Sequence, residues 1–316
     1  MSTSNLKPSK YQLESNLDQY RVGAGAHQSD LEFEVLQTIC KAADKAMRLA
    51  ARTALVHVPE HLKDNLFPTL TAGNSPLPMA TQVGNGAAYR ISIPISFVDK
   101  LLSITPTRGG RPPREASDYF ISSAIVAVLA AYGHEMNHVF AGHLGMPSSK
   151  GQETHSDYIG GGLLWAWLHD EEIAALCRIP NGKQVSMCAY GFLHLISVLG
   201  DSDHDRSLYL PRCLRLNVFF GGAGFCAEQR GGRAQGDLVG DAFQAMPACP
   251  DSDFESSAIR SQHVSLMVQM KQPQMMTRLQ TALQDMRQEK SDWYTSSKHL
   301  SPIKKDLRRA LKRDSS

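Results

Sequence analysis

The stretch "GHEMNHVFAGH", residues 133 to 143, holds three of the chain's twelve histidines, and His134 and His138 flank Glu135 in an H-E-x-x-H arrangement. On an α-helix, side chains four apart lie on one face a turn apart. His134 and His138 can therefore direct their imidazoles at one metal ion, with Glu135 turned about 100° to the side. The chemistry this suits is metal-assisted hydrolysis. Two imidazoles supply two of the three protein ligands that a catalytic zinc ion needs, and the neighbouring carboxylate can take a proton from a water that the metal activates.

A third ligand must come from elsewhere. His143 lies nine residues after His134, which puts it on the opposite side if the helix continues. It also misses the extended pattern with a histidine at the tenth position and glycine at the seventh, since Leu144 and Ala141 stand there. His143 is therefore read as a surface or capping residue. The better candidate is Glu153 in "QETHSDYIGGG", with Asp157 four residues on at the start of a second helix. Glu153 points to the metal, and Asp157 accepts the second-nitrogen hydrogen bond of a liganding histidine. His155, between the two acids, is read as a plain polar residue on another face, and as the alternative ligand should Glu153 fail. Gly160 to Gly162 would let the second helix pack close to the first.

His134-Glu135-x-x-His138 followed by Glu153-x-x-x-Asp157 resembles zinc metallopeptidases of the zincin type. The "HEMNHVFAGH" segment is similar to the phage-exclusion (Lit-type) peptidases over about residues 85 to 220. The resemblance implies a zincin-like fold, Zn²⁺ as cofactor, and an intracellular protease of narrow substrate range, acting in defence or stress. "DSDHDRSLYLPRCLRL" resembles the His-Pro segment that precedes an Arg-bearing helix in such enzymes, with Asp205 standing where they have proline. By that likeness His204 approaches the developing oxyanion. Tyr190 and Tyr209 are further candidate hydrogen-bond donors to an intermediate.

The elements that position these groups are mostly helical. Leu31, Val35, Leu36, Ile39, Ala43, Ala46 and Met47 form one stripe of a long amphipathic helix beginning at a cap on Ser29 or Asp30. Asp118 to about Gly142 reads as a buried apolar helix, capped by Ser117, with the histidine motif at its C-terminal end. Helices are expected at about Gln152 to Cys177 and Val185 to Leu199, with an apolar segment from Leu208 to Phe220. "AYRISIPIS" alternates as a strand, with Tyr89, Ile91, Ile93 and Ile95 on one face, joined by the turn signal "VGNGA" to a strand near "LPMATQ". Pro94 points to an edge strand near 89–96, able to pair with an extended peptide. Residues 221 to 254 read as Gly-rich and irregular, and the chain beyond as polar helix interrupted at Pro273.

The expected fold is mainly α (α+β). The expected domains are a flexible arm over 1–29, a metallopeptidase domain over 30–250, and a helical, basic, solvated extension over 251–316. The 33 basic and 31 acidic residues give a net charge of +2, so no general attraction to nucleic acid or a membrane surface is expected. Six scattered cysteines read as reduced, buried thiols. The N-terminus lacks the apolar stretch of a secretory signal, and no apolar run approaches the roughly 20 residues of a membrane span, so a cytoplasmic location is expected. The expected partners are a protein or peptide substrate and a regulatory partner. A non-catalytic zincin-fold sensor is the alternative.

Overall fold

The computed structural model describes residues 11–54, 68–73, 75–83, 88–103, 118–199, 208–245 and 258–296. Its centre is the apolar helix of the histidine motif, Asp118–Ala141, here α4, which is buried along nearly its whole length. By length and composition this helix passes as a membrane span, yet 89% of its apolar window is packed inside the protein. It is a core helix, wrapped by α2 (Asp30–Ala54), α5 (Lys150–Leu168) and α7 (Gln184–Val198).

α2 begins where a capping residue was expected. Ser29 Oγ accepts the Glu32 N–H at 3.3 Å, while the Glu32 carboxylate accepts from both the Ser29 N–H and hydroxyl at 2.7 Å. This is a reciprocal capping box. Of the arm expected over 1–29, residues 11–29 are described, and they include a packed helix. Leu13–Val22 forms α1, with Leu17 and Tyr20 buried, and Tyr20 donates to Asp99 Oδ2 at 2.6 Å on α3 (Ile95–Leu102). Two buried apolar side chains and this bond hold α1 to the core.

Among the described residues the sheet has three strands, β1 (Pro68–Thr71), β2 (Met79–Val83) and β3 (Ala88–Pro94), in the order β1-β3-β2. β3 pairs parallel with β1 and antiparallel with β2, so it is the middle strand and not the edge that Pro94 suggested. Pro94 is tolerated because it closes β3 and caps the start of α3, where a missing N–H removes no interior ladder bond. The edge strand nearest α4 is β2.

The expected helix over 152–177 is two. α5 ends at Leu168, and Asp170 caps α6 (Glu171–Leu176) by accepting from Glu172 N–H and Ile173 N–H, both at 3.1 Å. The region read as irregular, 221 to 254, is helical over nearly all of its described part, up to residue 245. α8 runs Arg212–Gly231 and α9 Arg233–Ala245. Two glycines mark where α5 and α8 meet: a Cβ on Gly161 of α5 would lie 2.0 Å from the Phe219 carbonyl oxygen of α8, and one on Gly222 of α8 would lie 1.8 Å from that of Tyr158. The two helix backbones touch directly. Last come α10 (Ala258–Met270) and α11 (Pro273–Ser296), with Pro273 at the first position of α11. α11 packs on α5 and buries Ala282 and Trp293 along one side, while most of its other side chains are exposed or half-exposed.

Candidate metal centre

His134 and His138 occupy the last two turns of α4, and their Nε2 atoms face each other at 3.0 Å. Glu153 lies in the first turn of α5, a helix started by the Ser149 hydroxyl accepting the Gln152 N–H at 3.1 Å. Its Oε2 is 3.2 Å from His134 Nε2 and its Oε1 is 3.5 Å from His138 Nε2. Donor atoms around a tetrahedral zinc ion with bonds of about 2.0–2.1 Å stand about 3.3 Å apart. Each separation is of about that size, the two Glu153 contacts being made by different carboxylate oxygens, so the three residues can surround one such ion. The close approach depends on glycine: a Cβ on Gly160 would sit 3.0 Å from the His134 backbone nitrogen, and one on Gly133 would sit 3.3 Å from the Gly160 carbonyl oxygen.

Asp157, one turn further along α5, lies 2.8 Å from His134 Nδ1. This is ion-pair distance, without the alignment of a full hydrogen bond. Arg215 of α8 grips the same carboxylate with two bonds, Nε to Oδ2 and NH2 to Oδ1, each 2.8 Å. Burial opposes ionisation of Asp157, but the Arg215 guanidinium outweighs it and holds the carboxyl below its ordinary value. Burial opposes ionisation of Glu153 too, and the His138 and His134 imidazoles overcome it, holding Glu153 well below the usual range. Burial would depress His134, yet Asp157 and Glu153 raise it to about 10. The two carboxylates thus stay ionised beside His134, leaving negative charge next to the imidazoles.

Glu135 lies outside this triangle, on the cleft side. Its Oε2 accepts the backbone N–H of Ala80 at 2.7 Å, so the free edge of β2 faces the motif. Leu77, Pro78, Phe97, Leu195, Tyr209, Arg215 and Phe219 complete a cleft of about 50 Å³, room for a few waters. Burial pushes the Tyr209 hydroxyl up to about 12, keeping it protonated and able to donate. A larger cavity of about 480 Å³ shares only Tyr209 and Arg215 with this cleft, and none of the three metal-type donors reaches it.

The sequence placed His134, His138, Glu153 and Asp157 around one point, and they meet there. His143 does not lie on the surface. The helix stops at Ala141, Gly142 adopts φ 83°, and the His143 N–H folds back onto the His138 carbonyl oxygen at 3.1 Å. That is a Schellman turn, and it places His143 Nδ1 3.0 Å from His138 Nδ1. His143 is not a third ligand, as expected, but it lies beneath His138 and not on the opposite side, because the helix has ended before it. His155 is also buried, against Asn137 and His143, and neither histidine is among the converging ligand atoms. Tyr190 is buried in the core, and the Ser117 cap, the "VGNGA" turn, His204 and Cys249 lie outside the described residues. Arg215 and Trp293 were missed. Of the two arginines in the run Leu208 to Phe220, Arg215 stands between Leu214 and Leu216, and that was the available signal, because such a group is costly to bury without a counter-ion.

Comparison with known family models, curated proteins and solved structures finds no match for this chain. What stands on the geometry is a largely buried His134, His138 and Glu153 group able to hold a metal ion.

Proposed function

We propose that this protein is a zincin-like, zinc-dependent endopeptidase acting in the cytoplasm on one or a few protein substrates. The observation that carries the reading is the set of 3.0, 3.2 and 3.5 Å separations among His134, His138 and Glu153, with Glu135 beside them on the cleft side. A zinc ion bound there supplies Lewis acidity toward a substrate carbonyl and lowers the pKa of water. Glu135 takes the proton of the attacking water and returns it to the leaving amine. Asp157, itself fixed by Arg215, keeps the His134 ring oriented. Tyr209 donates to the oxygen on which charge develops. An extended peptide adds to the free edge of β2, where the Ala80 N–H becomes a donor to substrate once Glu135 moves to its base position.

The purified protein is expected to carry one equivalent of zinc by elemental analysis, and His134→Ala or His138→Ala to lose it. Glu135→Gln should keep the metal and lower cleavage at least ~100-fold. Comparing new protein termini in cells expressing the native chain and Glu135→Gln then identifies substrates. Normal cleavage by Glu135→Gln would refute the mechanism.

Two observations favour a second reading, a non-catalytic sensor of the same fold. The Glu135 carboxylate is engaged by Ala80, and the cleft is small. A peptide hydroxamate separates the two: it raises the melting temperature of the zinc-loaded peptidase through an open coordination position, and leaves a closed structural site unchanged.

A further inference from the structure

Behind the metal-type ligands lies a second layer that the reading above does not use. His138 Nε2 faces His134 and Glu153, while its other ring nitrogen, Nδ1, meets His143 Nδ1 at 3.0 Å. His143 Nε2 in turn meets His155 Nδ1 at 3.3 Å, and Asn137 Nδ2 approaches the same His155 nitrogen at 3.2 Å. Over both rings lies the indole of Trp293, stacked on His155 at 5.1 Å and edge-on to His143 at 4.6 Å. Trp293 is 1% exposed and belongs to α11, more than 130 residues from the motif in sequence. One turn earlier on the same face of α11, Glu289 accepts from the Ser149 hydroxyl, and its carboxylate oxygens would stand 2.9 Å from a Cβ on Gly151. α11 thus grips both ends of the segment joining the two ligand-bearing helices.

The proton inventory gives this chain of rings a direction. If the His138 Nε2 lone pair is to face a metal ion, its Nδ1 carries the hydrogen and donates to His143 Nδ1. His143 then carries its hydrogen on Nε2 and donates to His155 Nδ1, sharing that nitrogen's single lone pair with the Asn137 amide N–H. Each ring's tautomer sets the next. Where metal ligands commonly lean on a carboxylate or a carbonyl, His138 leans on a neutral imidazole held by an aromatic side chain of a distant helix.

We propose that His143 is the positioning residue for His138, and that α11 holds it in place through Trp293, so that the C-terminal helix is a working part of the metal centre. The claim rests on the metal reading for its consequence, but the ring-to-ring coupling exists with or without a metal. The variants His143→Ala, Trp293→Ala and Trp293→Phe in the full-length chain test it. Circular dichroism checks folding, chelator competition gives zinc affinity, the Co²⁺-substituted visible spectrum reads ligand geometry, and long-range ¹⁵N–¹H spectra read the histidine tautomers.

His143→Ala is expected to weaken zinc binding about 10–100-fold and to broaden the Co²⁺ bands. Trp293→Ala should act in the same direction with the fold retained, and Trp293→Phe should restore most of the affinity, since a ring still covers His143 and His155. In metal-free protein the His138 tautomer should be single in the native chain and mixed in His143→Ala and Trp293→Ala. Folded His143→Ala and Trp293→Ala with zinc affinity within about twofold of native would overturn the proposal while leaving the metal centre standing. A native chain that binds no zinc overturns the metal reading instead, and an unchanged His138 tautomer in both alanine variants then overturns the positioning role as well.

Discussion

Asp157 joins two cationic groups at one buried carboxylate, and its two neighbours differ in what their loss would leave behind. Arg215 is 4% exposed, and its removal strands a buried negative charge. Arg215→Leu is expected to destabilise the protein by about 3–5 kcal/mol in urea unfolding, and the double variant with Asp157→Asn by less than the sum of the two single changes. His134 supplies a pH dependence. Its pKa is raised to about 10 in the folded, metal-free chain, above the ordinary 6.5. The extra stability it contributes is therefore complete below about pH 6.5 and disappears as pH rises through about 10. For the same reason, zinc taken up at neutral pH must displace a proton from His134. Chelator competition at pH 7, 8 and 9 should show affinity rising about tenfold per unit; a flat profile would mean that His134 is already neutral.

At the scale of elements, glycine decides which helices can meet. Gly161 and Gly222 bring α5 and α8 into backbone contact, whereas a Cβ on Gly240 of α9 would meet nothing within 4 Å. Gly161→Ala must push the helices apart and is expected to cost at least about 1–3 kcal/mol, lowering the melting temperature and zinc affinity together, because Arg215 and Asp157 sit across that contact. Gly240→Ala should raise the melting temperature, by up to about 1 kcal/mol of stability, through helix propensity alone. Calorimetry on the pair checks both signs. The left-handed turn at Gly142 works differently, since it ends α4 at the residue that lets His143 fold beneath His138.

Across the whole molecule, α1 at one end of the chain and α11 at the other pack onto the same core as the motif helix. Thiol reactivity should report this unity. Cys40, Cys177, Cys188, Cys213 and Cys226 are all buried, and burial pushes the Cys177 thiol up to about 12. In native protein at most one of the six cysteines, Cys249, is expected to react rapidly with a disulfide reagent, and all six after denaturation. Two or more fast thiols in the native state would contradict a single packed body.

Local patterning alone was enough for α2 and α4, a helix start at Ser29 or Asp30, and the pairing of His134 with His138, because helical periodicity and four-residue spacing are read within one or two turns. Glu153 and Asp157 were legible for the same reason, as a second four-residue pair at a helix start. The tertiary structure alone decided which strand is the edge, since Pro94 closes the middle strand β3 and leaves β2 facing Glu135. It also decided that Arg215 of α8 and Trp293 of α11 belong to the centre. Their partners lie 58 residues away, at Asp157, and more than 130 away, at His155 and His143, and no local period carries a contact between helices so far apart in the chain.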